Sequence, residues 1–150
     1  MHLDRYAYTV SMVDGAIQYE FFSKGPKGSI RKIIRFEKIN DKIFNLSFGD
    51  YVSENEPVSD YITTNNRDPE KVLSTVAAVV MNFTELHPGA NIFAQGSSPS
   101  RTRLYKICIV KHSKSIADNF NIMGRLINDT WEEFNKDNNY NAFLGIRKKQ

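Results

Sequence analysis

The chain has 150 residues, 41% hydrophobic and 25% charged, with a formal net charge of +3. That is ordinary globular composition, long enough for one domain with a real core. The charge excess is too small for composition alone to mark a nucleic-acid binder. One cysteine, Cys108, excludes an internal disulfide and a multi-cysteine metal site.

The opening residues Met1 to Tyr6 lack the apolar core of a signal peptide, and the longest apolar run, Val76 to Met81, falls far short of a bilayer's thickness. A cytoplasmic protein with no membrane association is expected. In chain order, Asp14-Gly15 between two half-apolar runs predicts a tight hairpin joining strands over Tyr6–Val13 and Ala16–Phe22. A second turn covers Ser23 to Gly28, where glycine and proline set backbone angles that other residues resist. Ile30 to Ile39 alternates, with Ile30, Ile34 and Phe36 against Arg31, Arg35 and Glu37, the period of a half-buried strand. Phe44, Leu46 and Phe48 give the next strand. Residues 50–68 read as a long loop whose carboxylates Asp50, Glu54, Glu56 and Asp60 lack calcium-loop spacing, so a solvated acidic loop is expected.

A helix over 69–87 follows. Asp68 caps it, Pro69 suits its first position, and Val72, Val76, Val79, Val80 and Phe83 form its apolar stripe. His87-Pro88-Gly89 ends it, and His87 is placed as a partner of the helix dipole. Asn91 to Gln95 is a short strand. After the loop Gly96–Ser100, a long strand is expected to run to His112 with Cys108 as a buried, inert thiol. A second helix should start at Ser113 or Ser115, its stripe marked by Ile116, Phe120, Met123, Ile127, Trp131 and Phe134, with a kink or break near Gly124 and Asn128 to Thr130. Ala142 to Ile146 reads as an edge strand, and Arg147 to Gln150 as a flexible basic tail. Together these elements predict a single α+β domain over residues 1–150: a mainly antiparallel sheet with two helices packed on one face.

Three sets of residues are familiar in combination. They are Phe21 to Ile30, Phe44 to Asp50, and Asn65 to Ala77 with Gly96 to Tyr105. The combination resembles an uncharacterised family of small bacterial and phage proteins, a domain of unknown function, over roughly residues 19–110. No activity is implied by that resemblance.

Two basic constellations are candidate sites. On an extended strand Arg101 and Arg103 would share a face about 7 Å apart. The hydroxyls of Ser97, Ser98, Ser100 and Thr102 and the amides of the loop led by Gly96 would lie beside them. Such a group offers donors to a phosphate, although the ending of a Walker loop is missing. Its plain alternative is a polar turn paired with the acidic loop. The second constellation places Lys24, Lys27, Arg31 and Lys32 beside Tyr19, Phe21 and Phe22, charge next to stacking surfaces as single-stranded nucleic acid requires. Here the alternative is a solvated hairpin with core aromatics. His2, His87, His112 and the serines at 97 and 98 carry no catalytic motif, so an enzyme ranks third among the readings and no cofactor or metal is expected. The leading reading is a non-enzymatic module for a phosphate-bearing ligand, a nucleic acid or a nucleotide. The other is a protein-interaction component, such as a toxin–antitoxin partner or a phage factor bound to a host protein, docking through the Ala142–Ile146 edge. A homodimer is compatible with both.

Overall fold

A computed structural model describes residues 4–53, 66–96 and 98–148. The fold is α+β, with an eight-stranded, mostly antiparallel sheet and three helices among the described residues. The strands are β1 (Thr9–Val13), β2 (Ala16–Gly25), β3 (Gly28–Lys38), β4 (Ile43–Asp50), β5 (Asn91–Ala94), β6 (Phe120–Arg125), β7 (Trp131–Glu133) and β8 (Ala142–Arg147). The helices are α1 (Pro69–Leu86), α2 (Pro99–Lys111) and α3 (Ser113–Asn119). The sheet order is β1-β2-β3-β4-β5-β8-β6-β7. The chain divides into two compact units: Met1–Glu37 with Ser47–Phe83, and Lys38–Leu46 with Thr84–Gln150.

In the first unit the Asp14-Gly15 turn forms as its sequence predicts. Both residues have positive φ, 50° and 79°, the combination that matches the twist of a two-residue hairpin. β2 and β3 pair from Ile17↔Phe36 out to Gly25↔Gly28, so the second turn tightens to Pro26-Lys27. α1 lies on one face of these strands. Phe36 and Phe83 stack with centroids 3.9 Å apart, and Tyr19 Oη donates to Asn82 Oδ1 at 2.7 Å. Of the expected stripe, Val72, Val76, Val79 and Phe83 are buried and Val80 is half-buried.

A polar lock closes one end of this core. The Asp68 carboxylate accepts from Tyr6 Oη at 2.6 Å and from Ser23 Oγ at 2.5 Å. Asn66, 1% exposed, accepts from Lys27 N at 2.7 Å and donates to Gly28 O at 2.8 Å. A Cβ on Gly25 would lie 2.1 Å from Asn66 O, so only glycine admits this approach. Lys32 and Asp50 form a buried ion pair. Asp50 therefore belongs to the core of a strand end and not to a solvated loop, because an unpaired Lys32 could not be buried there. Glu54, Glu56 and Asp60 lie outside the described residues.

In the second unit, β5 runs parallel to the start of β4, from Ile43↔Asn91 to Leu46↔Ala94. β8 pairs with β5 on one side and β6 on the other, so the segment expected at an edge is interior. Its Ala142 and Phe143 are buried, which explains the apolar run. Arg147, expected in a free tail, ends β8 and donates to Thr84 Oγ1 at 2.8 Å; Lys148 N donates to Asn119 O at 2.8 Å.

The expected second helix stops at Asn119. Phe120 and Met123 continue as β6, Asn128 to Thr130 form the turn into β7, and Trp131 lies on that strand. Asp129 adopts a φ of 66° in this turn. Gly124 receives the Tyr140 ring where a Cβ would sit 2.4 Å from it, a contact that β6 makes and a helix stripe would not.

Candidate nucleic-acid interface

The first constellation is reorganised by the fold. Residues 99–111 form α2, so Arg101 and Arg103 lie on a helix, where positions two apart do not share a face. Ser98 occupies the N-cap position: its carbonyl accepts from Thr102 N and from Thr102 Oγ1, both at 3.1 Å. Gly96 N donates to Thr102 Oγ1 at 3.2 Å. Thr102 thus closes the loop that was to open toward an anion. Ser98, Ser100 and Arg103 are exposed, Gly96 is half-buried, and Ser97 lies outside the described residues. Cys108 and His112 are buried four residues apart, a helical spacing, and Thr102 is buried in the first turn. Burial pushes the Cys108 thiol up to about 12, as an inert core cysteine requires.

The second constellation is divided by the fold: only Phe22, Lys24 and Arg31, with Lys27 in the turn beside them, remain on the sheet face opposite α1 within the first unit. Tyr19 and Phe21 leave it: at 0% and 1% exposure they are core, facing the helix. Lys32 leaves it too, paired with Asp50 on the same inner face. The alternation of β2 then puts Phe22 and Lys24 on the outer face, and Phe22 stands directly opposite Arg31. Phe22 is 45% exposed, and Lys24 and Lys27 are exposed.

Beyond Arg31 stands Tyr51, which the sequence did not single out. Tyr51 N donates to Arg31 O at 2.9 Å, and the Arg31 guanidinium carbon lies 3.8 Å from the Tyr51 ring centroid. Tyr51 follows β4 in phase with the outer face, a signal that alternation from Phe48 and Asp50 carries. Arg31 Nη2 donates to Glu20 Oε2 at 2.8 Å. Its Nε is equally close to Glu20 Oε1 but lies off the line of a good hydrogen bond. The Glu20 carboxylate holds the Arg31 pKa above its ordinary value, with a smaller push from Tyr51. Arg31 therefore supplies a fixed plane, and its charge is largely answered; Lys24 and Lys27 carry the free positive charge of this face.

In the second unit, Arg125 lies 5.9 Å from the Phe93 centroid and 5.7 Å from that of Trp131, with its Nε donating to Asn141 Oδ1 at 2.6 Å. Among the described residues no group of three or more histidines, cysteines and carboxylates is placed to hold a metal ion, and no helix is long and apolar enough to cross a membrane.

A model described as a family of unknown function (DUF6934) matches residues 2–148. The chain belongs to that family. The match reaches well past residues 19–110, over which the resemblance was legible, and takes in β6, β7 and β8. No curated protein and no solved structure matches the chain.

Proposed function

We propose that this DUF6934 member is a non-enzymatic binding module for a phosphate-bearing ligand, single-stranded nucleic acid foremost, which it takes on the outer face of β2 and β3. The row Phe22–Arg31–Tyr51, with Lys24 and Lys27 at the hairpin tip, carries the reading. An exposed ring beside a fixed guanidinium plane gives unpaired bases a surface to stack on, and the two lysines offer charge to the backbone. A stacking platform tolerates any base, so little sequence preference follows. The N-terminal turn of α2, with Ser98, Ser100, Arg101 and Arg103, is the alternative anion position.

Titration of a fluorescently labelled single-stranded oligonucleotide, followed by anisotropy over a range of salt, tests this. Lys24→Ala and Lys27→Ala should each flatten the slope of log affinity against log salt by about 0.7. Phe22→Ala should weaken binding by about 1–3 kcal/mol and leave that slope unchanged. Absence of binding at low salt sinks the reading. Binding that responds to Arg101→Ala and Arg103→Ala but not to these three variants moves the site to α2.

A further inference from the structure

We propose that β1 is the seam of a homodimer, in which β1 of a second copy of this chain pairs antiparallel with it about a twofold axis through Ser11. β1 ends the sheet and, among the described residues, pairs only with β2. Its Val13↔Ala16 pair closes a two-residue hairpin, and such a closing pair exchanges both backbone hydrogen bonds. Because the pattern alternates, Thr9, Ser11 and Val13 turn their N–H and C=O groups toward β2. Val10 and Met12 turn theirs outward, to the open edge.

Edge strands are ordinarily guarded by charge, proline or a bulge. Thr-Val-Ser-Met-Val has none of these: it is uncharged and pairs residue for residue with β2. Val10 is 50% exposed and Met12 72%. They share a face with the half-buried Tyr8, because residues two apart on a strand point the same way.

The sequence itself selects the occupant. With the axis at Ser11, Val10 meets Met12 of the second copy and Met12 meets its Val10, which are the residues whose outward backbone groups need partners. This register pairs all of Thr9–Val13, and a slip by one residue would set outward groups against inward ones. It also brings the exposed Asp14 of one copy opposite Tyr8 of the other, whose ring carries the Arg5 guanidinium carbon 5.2 Å from its centroid. Unlike charges therefore meet at both ends of the seam, and the interface is isologous, as a twofold dimer requires.

Mass measurement against concentration, with cross-linking, tests the arrangement. The parent should approach twice its 17.2 kDa mass as concentration rises. Met12→Lys should stay monomeric under the same conditions, with an unchanged circular-dichroism spectrum, since the side chain it replaces is exposed. Paired Ser11 residues would occupy a non-hydrogen-bonded position with Cα atoms about 4.5 Å apart, within disulfide reach. Mild oxidation should therefore link Ser11→Cys into a covalent dimer. Val10→Cys, which faces Met12, should not link, and neither should the parent, whose Cys108 is buried. A parent that stays monomeric throughout overturns the proposal. So does a dimer indifferent to Met12→Lys in which Ser11→Cys fails to cross-link; that result assigns the contact to another surface and leaves β1 to a strand from a different protein.

Discussion

α1 and α2 open with the same device. Asp68-Pro69 and Ser98-Pro99 each place a capping residue before a proline in the first helical position, and each is followed by the same first backbone bond. Val72 N donates to Asp68 O at 3.0 Å, and Thr102 N donates to Ser98 O at 3.1 Å. Only α1 is legible as a helix. Its apolar residues fall on one side, where Val76, Val79 and Phe83 are 4% exposed or less. α2 spreads Leu104, Ile107, Cys108, Ile109 and Val110 around the axis, leaving Ile107 and Val110 37% and 40% exposed. A run so rich in β-branched residues imitates a strand. The start signal was the better guide, because proline at the first position removes a donor that the helix would leave unpaired anyway.

The largest effect belongs to the helix with the sharper stripe. Val76→Asp would bury an unpaired carboxylate and should cost at least about 3 kcal/mol. The thermal midpoint should fall by roughly 6 °C or more in a chain of this size. A midpoint within a degree or two of the parent would mean that α1 does not rest on its stripe.

α2 depends more on its first turn. Thr102→Val keeps the shape of the side chain but removes its bonds to Gly96 N and Ser98 O. A loss of about 1 kcal/mol is expected, the net worth of a typical hydrogen bond with its desolvation. Urea melts of the two proteins give that difference directly. If they superimpose, the loop from Gly96 to Ser98 closes without help from the Thr102 hydroxyl.

The same contrast of strong and weak local signals separates what the sequence discloses from what it hides. Asp14-Gly15, the strand over Ile30 to Phe36 and the capped stripe of α1 are local signals that the fold obeys. That strand is not half-buried as its alternation implies, since Ile33 and Arg35 on its second face are 0% and 9% exposed. β6 and β8 are different. Phe120 and Met123 recur at a spacing that suits a helix as well as a strand, and β8 looks like an edge until β5 and β6 are seen to flank it. Their states depend on partners distant in the chain. The candidate site divides in the same way. Phe22 and Arg31 face each other because of a hairpin readable from its turn, whereas the removal of Tyr19, Phe21 and Lys32 to the inner face follows from α1 covering that side. The face that Tyr51 takes follows from the alternation of β4, but its place beside Arg31 comes from a pairing between β3 and the end of β4 that no local pattern announces.

The smallest expected effect lies at the C-terminal end of α2, where His112 stands at the junction with α3. It is 7% exposed, and its Nε2 finds no hydrogen-bond partner among the described residues. Burial, and then the neighbouring Lys111 charge, hold its pKa below the ordinary 6.5. The sign of the stability effect follows from the two states. Well above 6.5 the ring is neutral whether the chain is folded or not, and its burial costs nothing further. As pH falls through 6.5 the unfolded chain takes up the proton and the folded chain does not, so stability declines. The decline continues until the pH passes the depressed folded value, below which both states hold the proton and this group adds no further slope. His112→Phe keeps a flat ring and removes the titration. The thermal midpoint of the parent, measured relative to that variant, should drop across this window and be level above it. Parallel midpoints through the window would show that His112 takes its proton as readily in the fold as outside it, and that the junction between α2 and α3 is open to water.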